Sequence, residues 1–296
     1  MMGRKRSTAS KPKVACEIAA NRVLAGRVAD NSVVDCAAYD LSPGVVVPDL
    51  TEANLKDRNA VYRALHDALD SVSGRSTDVI AVLPDASVRV VLLDFETLPG
   101  KRDEAESVVR FRLKKSLPFD VDKAQVSYHA QAATSGIRVV AAVALTSVVE
   151  EYESLFREAG YNPGVVLPST LAALGAASGE QPTLVVKVDS RTTSIAILAQ
   201  KQLLLFRTLE NASGIAITGE KLAEEVYPSV VFFQDTYNLN IDQIFVAGLP
   251  EAREAAPALQ AQTGAHVSEL VGSLPMHTGG AVPSWQTAGV VGALVS

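Results

Sequence analysis

The chain has 296 residues, of which 48% are hydrophobic and 20% are charged, and these proportions suit one large or two medium globular domains with a substantial core. The formal net charge is −6, but residues 1–13 hold five basic side chains and no acidic one, so 22 basic and 33 acidic side chains remain in the body. An acidic body argues against a nucleic-acid surface, and no apolar run reaches the ~18 residues that a membrane span requires.

The basic segment at residues 1–13 is predicted to be a disordered, solvated arm, and the alternative is contact with an anionic membrane face. No apolar stretch follows these basic residues, so the segment does not read as a secretory signal. Cys16 and Cys36 are the only cysteines and have no metal-ligand spacing, which favours buried thiols in a reducing compartment over a disulfide. We therefore expect a cytoplasmic protein.

The first part of the folded chain reads as a meander followed by a helix and a buried strand. Three short β-type runs, VACEIA, RVLAGRV and VVDCAAY, are separated by polar turns and predict an antiparallel meander. Apolar residues recur at helical spacing over 57–73. A buried strand over 79–83 follows, and it ends at a Pro-Asp turn.

A compact α/β unit comes next. Strands are predicted at 88–93, 125–132 and 137–145, with a helix over 101–116 and another over 147–159. The helix at 101–116 is acidic in its first half and basic in its second, which complements the helix dipole, and Pro118 ends it.

The second half of the chain, from about Val165, repeats the first. A short strand and a helix over 168–177 precede three strands, LVVKV, SIAILA and LLLFRTL, which form a second meander. Helices over 216–237, 251–262 and 285–295 follow, with the strand IFVAG between the first two of them. The pattern alone predicts a duplicated α/β protein.

The stretch from Val82 to Tyr128, VLPDASVRVVLLDFETLPGKRDEAESVVRFRLKKSLPFDVDKAQVSY, resembles the PilM family of type IV pilus assembly. The resemblance implies a duplicated actin-like (ribonuclease H-like) α/β fold with two lobes. The first lobe would span 14–165, with a small inserted α/β subdomain at about 85–146, and the second would span 166–296. We expect the second lobe to be trimmed, because Leu209 leads to the helix near Ile217 without the family's long helical excursion.

Three glycine-bearing turns surround ATP in that family, and this sequence departs from each. Ala19 stands at the glycine position of the first turn, and Asp189 at that of the second, where Lys187 also replaces the family's acid. The third turn reads Gly248-Leu249-Pro250 instead of three glycines. Phosphates need backbone N–H groups at close range, and a Cβ obstructs that approach.

The resemblance therefore implies a degenerate nucleotide cleft. Its candidate residues are Glu17, Ala20, Asn21, Asp189, Ser190, Thr192, Thr193 and Gly248. We expect no cofactor, no catalytic residue and no ATP hydrolysis; the alternative is bound ATP and Mg²⁺, with Glu17 and Asp189 holding the ion through water. The four histidines are far apart in sequence, which predicts no metal site of their own.

The resemblance also implies a protein partner. Family members bind a short N-terminal peptide of PilN, a membrane protein, in a groove between the first lobe and the inserted subdomain. The candidate contacts here are Val88, Val90, Leu117, Pro118, Phe119 and Val143. The alternative for the Leu-Pro-Phe segment is a helix stop with Phe119 in the subdomain core.

The expected function is thus a scaffold at the cytoplasmic face of the inner membrane, peripheral to the bilayer, linking a PilN-like protein to the pilus motor ATPase. One alternative is an ATP-binding or ATP-hydrolysing switch of the same fold. Another is the cytoplasmic part of a type II secretion protein of the GspL kind, although that family normally continues into a membrane span.

Overall fold

A computed structural model describes residues 11–29, 32–72, 74, 76–133, 135–177, 179–211, 217–248, 252–272 and 282–296. Most of the basic arm and the Leu249-Pro250 part of the third turn therefore lie outside the described residues. The strands are β1 (Val14–Ile18), β2 (Arg22–Ala29), β3 (Ser32–Asp40), β4 (Asp78–Leu83), β5 (Arg89–Phe95), β6 (Ala124–Ala132), β7 (Ile137–Leu145), β8 (Asn162–Pro168), β9 (Thr183–Val188), β10 (Thr192–Ala199), β11 (Gln202–Glu210), β12 (Gln243–Ala247) and β13 (His266–Glu269). The α-helices are α1 (Arg58–Val72), α2 (Arg102–Leu113), α3 (Thr146–Glu158), α4 (Ser169–Ala173), α5 (Gly219–Tyr237), α6 (Ala252–Thr263) and α7 (Ala288–Val295).

The two large sheets have the same topology, which confirms the predicted duplication. Within the described residues, the first has the order β3-β2-β1-β4-β8 and the second the order β11-β10-β9-β12-β13. Each begins with an antiparallel meander and continues with parallel strands. The two sheets are the cores of two lobes, as the predicted actin-like fold requires.

Each sheet is covered by helices because its strands are apolar on both faces. All five residues of β1 are buried, and so are all residues of β9 and β10. Helices α1 and α3 pack on one face of the first sheet, where Leu65, Tyr152 and Phe156 are fully buried. Helix α5 covers the second sheet with Leu222, Val226 and Phe233.

The inserted subdomain is a separate antiparallel sheet of order β5-β7-β6. Helix α2 lies on one face of this sheet, where its buried Val109 and Leu113 pack against Val139 and Val143. The predicted dipole arrangement of α2 is present, with acidic residues in its first turn and basic residues in its last. The opposite face of the sheet turns toward the second lobe.

Two polar contacts fasten the subdomain to the second lobe. The side-chain amide of Gln131 donates to the carbonyl oxygen of Leu203 over 2.6 Å and accepts from the Leu203 N–H over 3.2 Å. Arg138 pairs with Asp94 through two nitrogens and donates to the hydroxyl of Tyr237 over 2.5 Å. The subdomain therefore contacts both lobes, although the chain inserts it into the first.

Two predicted boundaries need correction. The division between residues 165 and 166 falls inside β8, which pairs with β4 at the edge of the first sheet, so the first sheet extends to Pro168. Helix α7 falls in the predicted second lobe, but it packs on α4, β1 and β2 of the first. The sequence does not predict strand β13, because four residues are too few to show a clear alternation. None of the described helices combines the length and the hydropathy needed to cross a bilayer.

Cys16 and Cys36 are both free thiols, the first buried and the second half-buried. Burial, with a contribution from Asp35, raises the pKa of the Cys36 thiol to about 11, and burial raises the pKa of Cys16 well above its ordinary value. Because the thiolate is the reactive form, we expect neither cysteine of the native protein to react with iodoacetamide at pH 8, whereas both react in urea. Mass spectrometry of the alkylated protein tests this, and native labelling of Cys36 at the unfolded rate would contradict it.

Candidate functional site

A buried ion pair crosses the cleft between the two lobes. Glu17 and Lys187 are each the penultimate residue of the first strand of their meander, β1 and β9. The Lys187 Nζ lies 3.4 Å from the Glu17 Oε1, and each side chain is 7% exposed. The hydroxyl of Ser169 donates to the same carboxylate oxygen. The duplication thus brings an acid and a base together at equivalent positions of the two lobes.

Asp85, two residues after the end of β4, forms a second buried link between the lobes. Its carboxylate accepts hydrogen bonds from the backbone N–H of Thr170, over 2.9 Å, and from the Thr170 hydroxyl. The hydroxyl of Ser194, on β10 of the second lobe, lies 3.1 Å away and also donates to it. Burial raises the pKa of Asp85, while the nearby Lys187 ammonium and the Thr170 hydrogen bonds oppose that rise.

Lys187 stays protonated because it lies among carboxylates. Burial alone would lower its pKa, but the charges of Glu17, Asp85 and Asp189 outweigh burial and hold the pKa above its ordinary value. The guanidinium of Arg22 acts in the opposite direction. The cleft floor therefore carries a cation that belongs to the chain.

The turn between β9 and β10 is closed by its own carboxylate. Asp189 Oδ1 accepts from the backbone N–H groups of Arg191 and Thr192, each over 2.7 Å, and Oδ2 accepts from the Thr192 hydroxyl over 3.0 Å. Thr193 donates to Asn211, whose amide donates to the Asp189 carbonyl oxygen. Ser190 is exposed at the tip of the turn.

The turn between β1 and β2 is a tight hairpin closed by the Ala19 N–H, which donates to the Arg22 carbonyl oxygen over 2.9 Å. Ala20 is half-buried in this turn and Asn21 is exposed. The guanidinium carbon of Arg22 lies 5.5 Å from the centroid of the Trp285 ring. The Trp285 carbonyl oxygen in turn accepts a hydrogen bond from the Gly248 N–H over 2.8 Å.

Gly248 is required by the backbone rather than by a ligand. Its φ is +81°, and a Cβ there would lie 1.8 Å from the Val188 carbonyl oxygen. The structure thus brings Glu17 and Asp189 to one cleft. Around it lie Ala20, Asn21, Ser190 and Gly248 in turns, and Thr192 and Thr193 at the start of β10.

The described residues of the cleft do not fit a magnesium nucleotide as they are arranged. The Lys187 ammonium lies against Glu17, the acid expected to hold the ion. The N–H groups of Arg191 and Thr192, which a phosphate would need, already bind the Asp189 carboxylate. A dication beside Lys187 or a phosphate beside Asp189 would meet a like charge.

A groove of about 680 Å³, which shares Asp85, Arg191 and Thr192 with the cleft, opens where the first lobe, the subdomain and the second lobe meet. It is lined by a first-lobe loop at 48–51, by the start of the subdomain at Val88–Val90 with Pro118, and by second-lobe residues at 206–208. The predicted groove between first lobe and subdomain therefore has a third wall. A segment bound in it would contact all three parts of the protein.

The loop wall of this groove is held by Asn54, which is fully buried. Its side-chain oxygen accepts from the hydroxyl of Tyr152 over 3.0 Å, from the Ser87 hydroxyl and from the Asp49 N–H. Its amide donates to the Asp49 carbonyl oxygen over 2.9 Å. Asn54 thus ties the loop, helix α3 and the first residues of the subdomain together.

The predicted partner residues divide into three groups. Val88, Val90 and Pro118 line the groove. Leu117 and Phe119 pack against the subdomain core while partly exposed, which is the structural alternative given for that segment. Val143 must be withdrawn as a contact, because its side chain is 0% exposed and faces α2 in the subdomain core.

Sequence reasoning overlooked three residues that shape these sites. Asp85 is predicted only as part of a turn, although an acid at the carboxyl end of a buried central strand is a recognisable signal. Asn54 lies in a loop without a pattern, and Arg22 lies near Asp189 and Trp285, which come from distant parts of the chain. No sequence signal could have identified these last two.

The repeated sheets, the cleft between them and the inserted subdomain define an actin-like two-lobe protein. Among solved structures, the PilM–PilN type IV pilus biogenesis complex contains a chain with a TM-score of 0.79 and 16% identity, covering 96% of this chain and 98% of that chain. The recognised resemblance to PilM thus extends over the fold of the described lobes.

Two other solved structures share the fold less closely. One is the cytoplasmic domain of EpsL, an inner-membrane component of the type II secretion system of Vibrio cholerae, with a TM-score of 0.55, 11% identity and coverage of 96% and 94%. The other is the ethanolamine utilization protein EutJ from Carboxydothermus hydrogenoformans, with a TM-score of 0.55 and 10% identity. The match covers 96% of this chain and 89% of that chain. No protein-family model matches the sequence, and no curated protein matches it either.

Proposed function

We propose that this chain is a PilM-like scaffold of type IV pilus assembly, which works in the cytoplasm at the inner membrane and does not hydrolyse ATP. It binds the N-terminal peptide of a PilN-like membrane protein in the three-walled groove. The observation that carries the proposal is this groove, in a fold that matches the PilM–PilN complex at a TM-score of 0.79.

The groove has the chemistry that a short peptide requires. Val88, Val90 and Phe206 supply apolar surface, and Arg89 and Arg207 supply hydrogen-bond donors. Among the described strands, β5 and β11 are edge strands of their sheets, so backbone groups on their outer sides are open to an extended segment. Because the second lobe forms one wall, binding would be sensitive to the position of the lobes. The pilus motor ATPase would be the partner that reads this position.

Val90→Asp is expected to weaken binding of the synthetic cytoplasmic N-terminal peptide of the PilN-like protein at least about tenfold. The reason is that a carboxylate in the groove wall must be desolvated against the peptide. Val108→Asp, on the exposed side of α2, is the matched control and should leave the affinity unchanged. Fluorescence anisotropy measures both. Equal affinities of the two variants, or no binding to the wild-type protein, would refute the proposal.

A type II secretion role is the second candidate, supported by the fold match to the EpsL cytoplasmic domain at a TM-score of 0.55. The higher score of the PilM–PilN complex favours the first candidate. Deleting the gene separates the two. Loss of surface pili with normal secretion supports the pilus role, and the opposite phenotype supports the secretion role.

A further inference from the structure

The cleft between the lobes contains a cation and an anion of its own. The Lys187 ammonium lies 3.4 Å from Glu17 and close to Asp85, two acids that belong to the first lobe. The Asp189 carboxylate fills the hydrogen-bonding capacity of two adjacent backbone N–H groups in the β9–β10 turn. Lys187 is thus bonded to an acid, as a bound cation would be, and Asp189 to backbone donors, as a bound anion would be.

We propose that Lys187 and Asp189 take the places of a bound cation and a bound phosphate, so that the chain fills its own cleft and holds its lobes together without any ligand. This goes beyond the scaffold role, because a peptide-binding scaffold could also bind a nucleotide. It makes peptide affinity independent of magnesium and ATP.

The geometry of the cleft supports Lys187 as the substitute for a bound cation. Glu17 and Asp85 leave β1 and β4, which are adjacent parallel strands, so both carboxylates reach the same end of the first sheet. A divalent ion commonly uses one or two carboxylates and completes its shell with water. The ammonium of Lys187 approaches this end from the opposite lobe, where it pairs with Glu17, and its positive charge near Asp85 excludes such an ion.

The role of Asp189 as the substitute for a bound phosphate depends on backbone N–H donors. Successive N–H groups in a turn form a concave site for an anion, and here those of Arg191 and Thr192 point at one oxygen of Asp189. The same turn lines the groove through Arg191 and Thr192, so it is accessible from solvent. Without the carboxylate, the two N–H groups and the Arg191 side chain would be available to phosphate.

Thermal unfolding with three probes tests the proposal on the full chain. The melting temperature of the wild-type protein should be the same with and without Mg-ATP, Mn²⁺ alone or inorganic phosphate, each at millimolar concentration. Stabilisation of the wild-type protein by Mg-ATP that is lost in both Glu17→Ala and Asp189→Ala would overturn the proposal.

Two pairs of variants test the roles of Asp189 and Lys187 separately. Asp189→Gly should be stabilised by phosphate by a few degrees, whereas Asp189→Asn should not, because its amide oxygen still accepts the two N–H groups. Lys187→Ala should gain stabilisation by Mn²⁺, whereas Lys187→Arg should not, because it keeps the positive charge.

The circular dichroism spectrum establishes that each variant is folded before its titration is interpreted. Folded Asp189→Gly and Lys187→Ala proteins that gain no stabilisation would overturn the assignment of these side chains. If either variant fails to fold, the wild-type titration decides. Peptide binding that persists while the proposal fails would leave the scaffold function intact, so the two can be distinguished.

Discussion

Lys187→Met is expected to lower the free energy of unfolding by about 3–5 kcal/mol, the cost that follows when one partner of a buried ion pair is removed. The variant removes the ammonium that lies against the Glu17 carboxylate, on a side chain that is 7% exposed. The hydroxyl of Ser169 is then its remaining hydrogen-bond donor among the described residues. Urea denaturation followed by circular dichroism measures the change.

A double-mutant cycle shows whether the loss comes from the pair itself. Glu17→Gln combined with Lys187→Met removes both charges with little change in volume and should recover most of the stability. Lys101→Met breaks an ion pair with Glu104 on side chains that are 83% and 57% exposed, and should cost less than about 1 kcal/mol. A Lys187→Met variant that is no less stable than Lys101→Met would show that the buried ion pair does not stabilise the fold.

Much of the fold could be predicted because its elements have strong local patterns. The amphipathic α1 is expected at 57–73 and lies at Arg58–Val72, and β7 is expected at 137–145 and lies there. The two meanders could be matched because their apolar runs have similar lengths and order. The resemblance to PilM then supplied the arrangement of the lobes, which no periodicity contains.

The cleft was harder to predict, because its geometry depends on contacts between distant residues. Comparison of motifs identifies Lys187 and Asp189 as departures from the family pattern, and suggests Asp189 as a magnesium ligand. The structure gives Asp189 a different set of partners, the N–H groups of its own turn. A sequence pattern shows that a residue has changed, but the new hydrogen bonds depend on where the backbone turns.

The position of α7 could not be predicted for a related reason. Its sequence, AGVVGALV, is apolar all round, which predicts burial but gives no face and therefore no partner. In the structure, the hydrophobic cluster that contains α7 also includes Ala15 and Ile80 of the first lobe and Val185 and Ala247 of the second. The last helix of the chain thus joins the two lobes from the side opposite α1 and α3.

Gly292→Ala is expected to destabilise the protein by about 3 kcal/mol, although alanine normally stabilises a helix relative to glycine by about 1 kcal/mol. A Cβ at this position of α7 would lie 2.2 Å from the Ala172 carbonyl oxygen and 2.7 Å from the Ala173 Cα. Both are backbone atoms of α4, so no side chain can rotate away. The contact is reciprocal, since a Cβ on Gly175 would lie 2.2 Å from the Gly292 carbonyl oxygen.

Two physical effects predict opposite changes in the stability of the Gly292→Ala protein. Helix propensity alone predicts a gain in stability, and close packing between α4 and α7 predicts a loss. Gly100→Ala is the control, because a Cβ there would meet no atom within 4 Å and the backbone needs no positive φ. Urea midpoints of the two variants decide the matter. A Gly292→Ala protein as stable as Gly100→Ala would mean that α7 does not lie against α4.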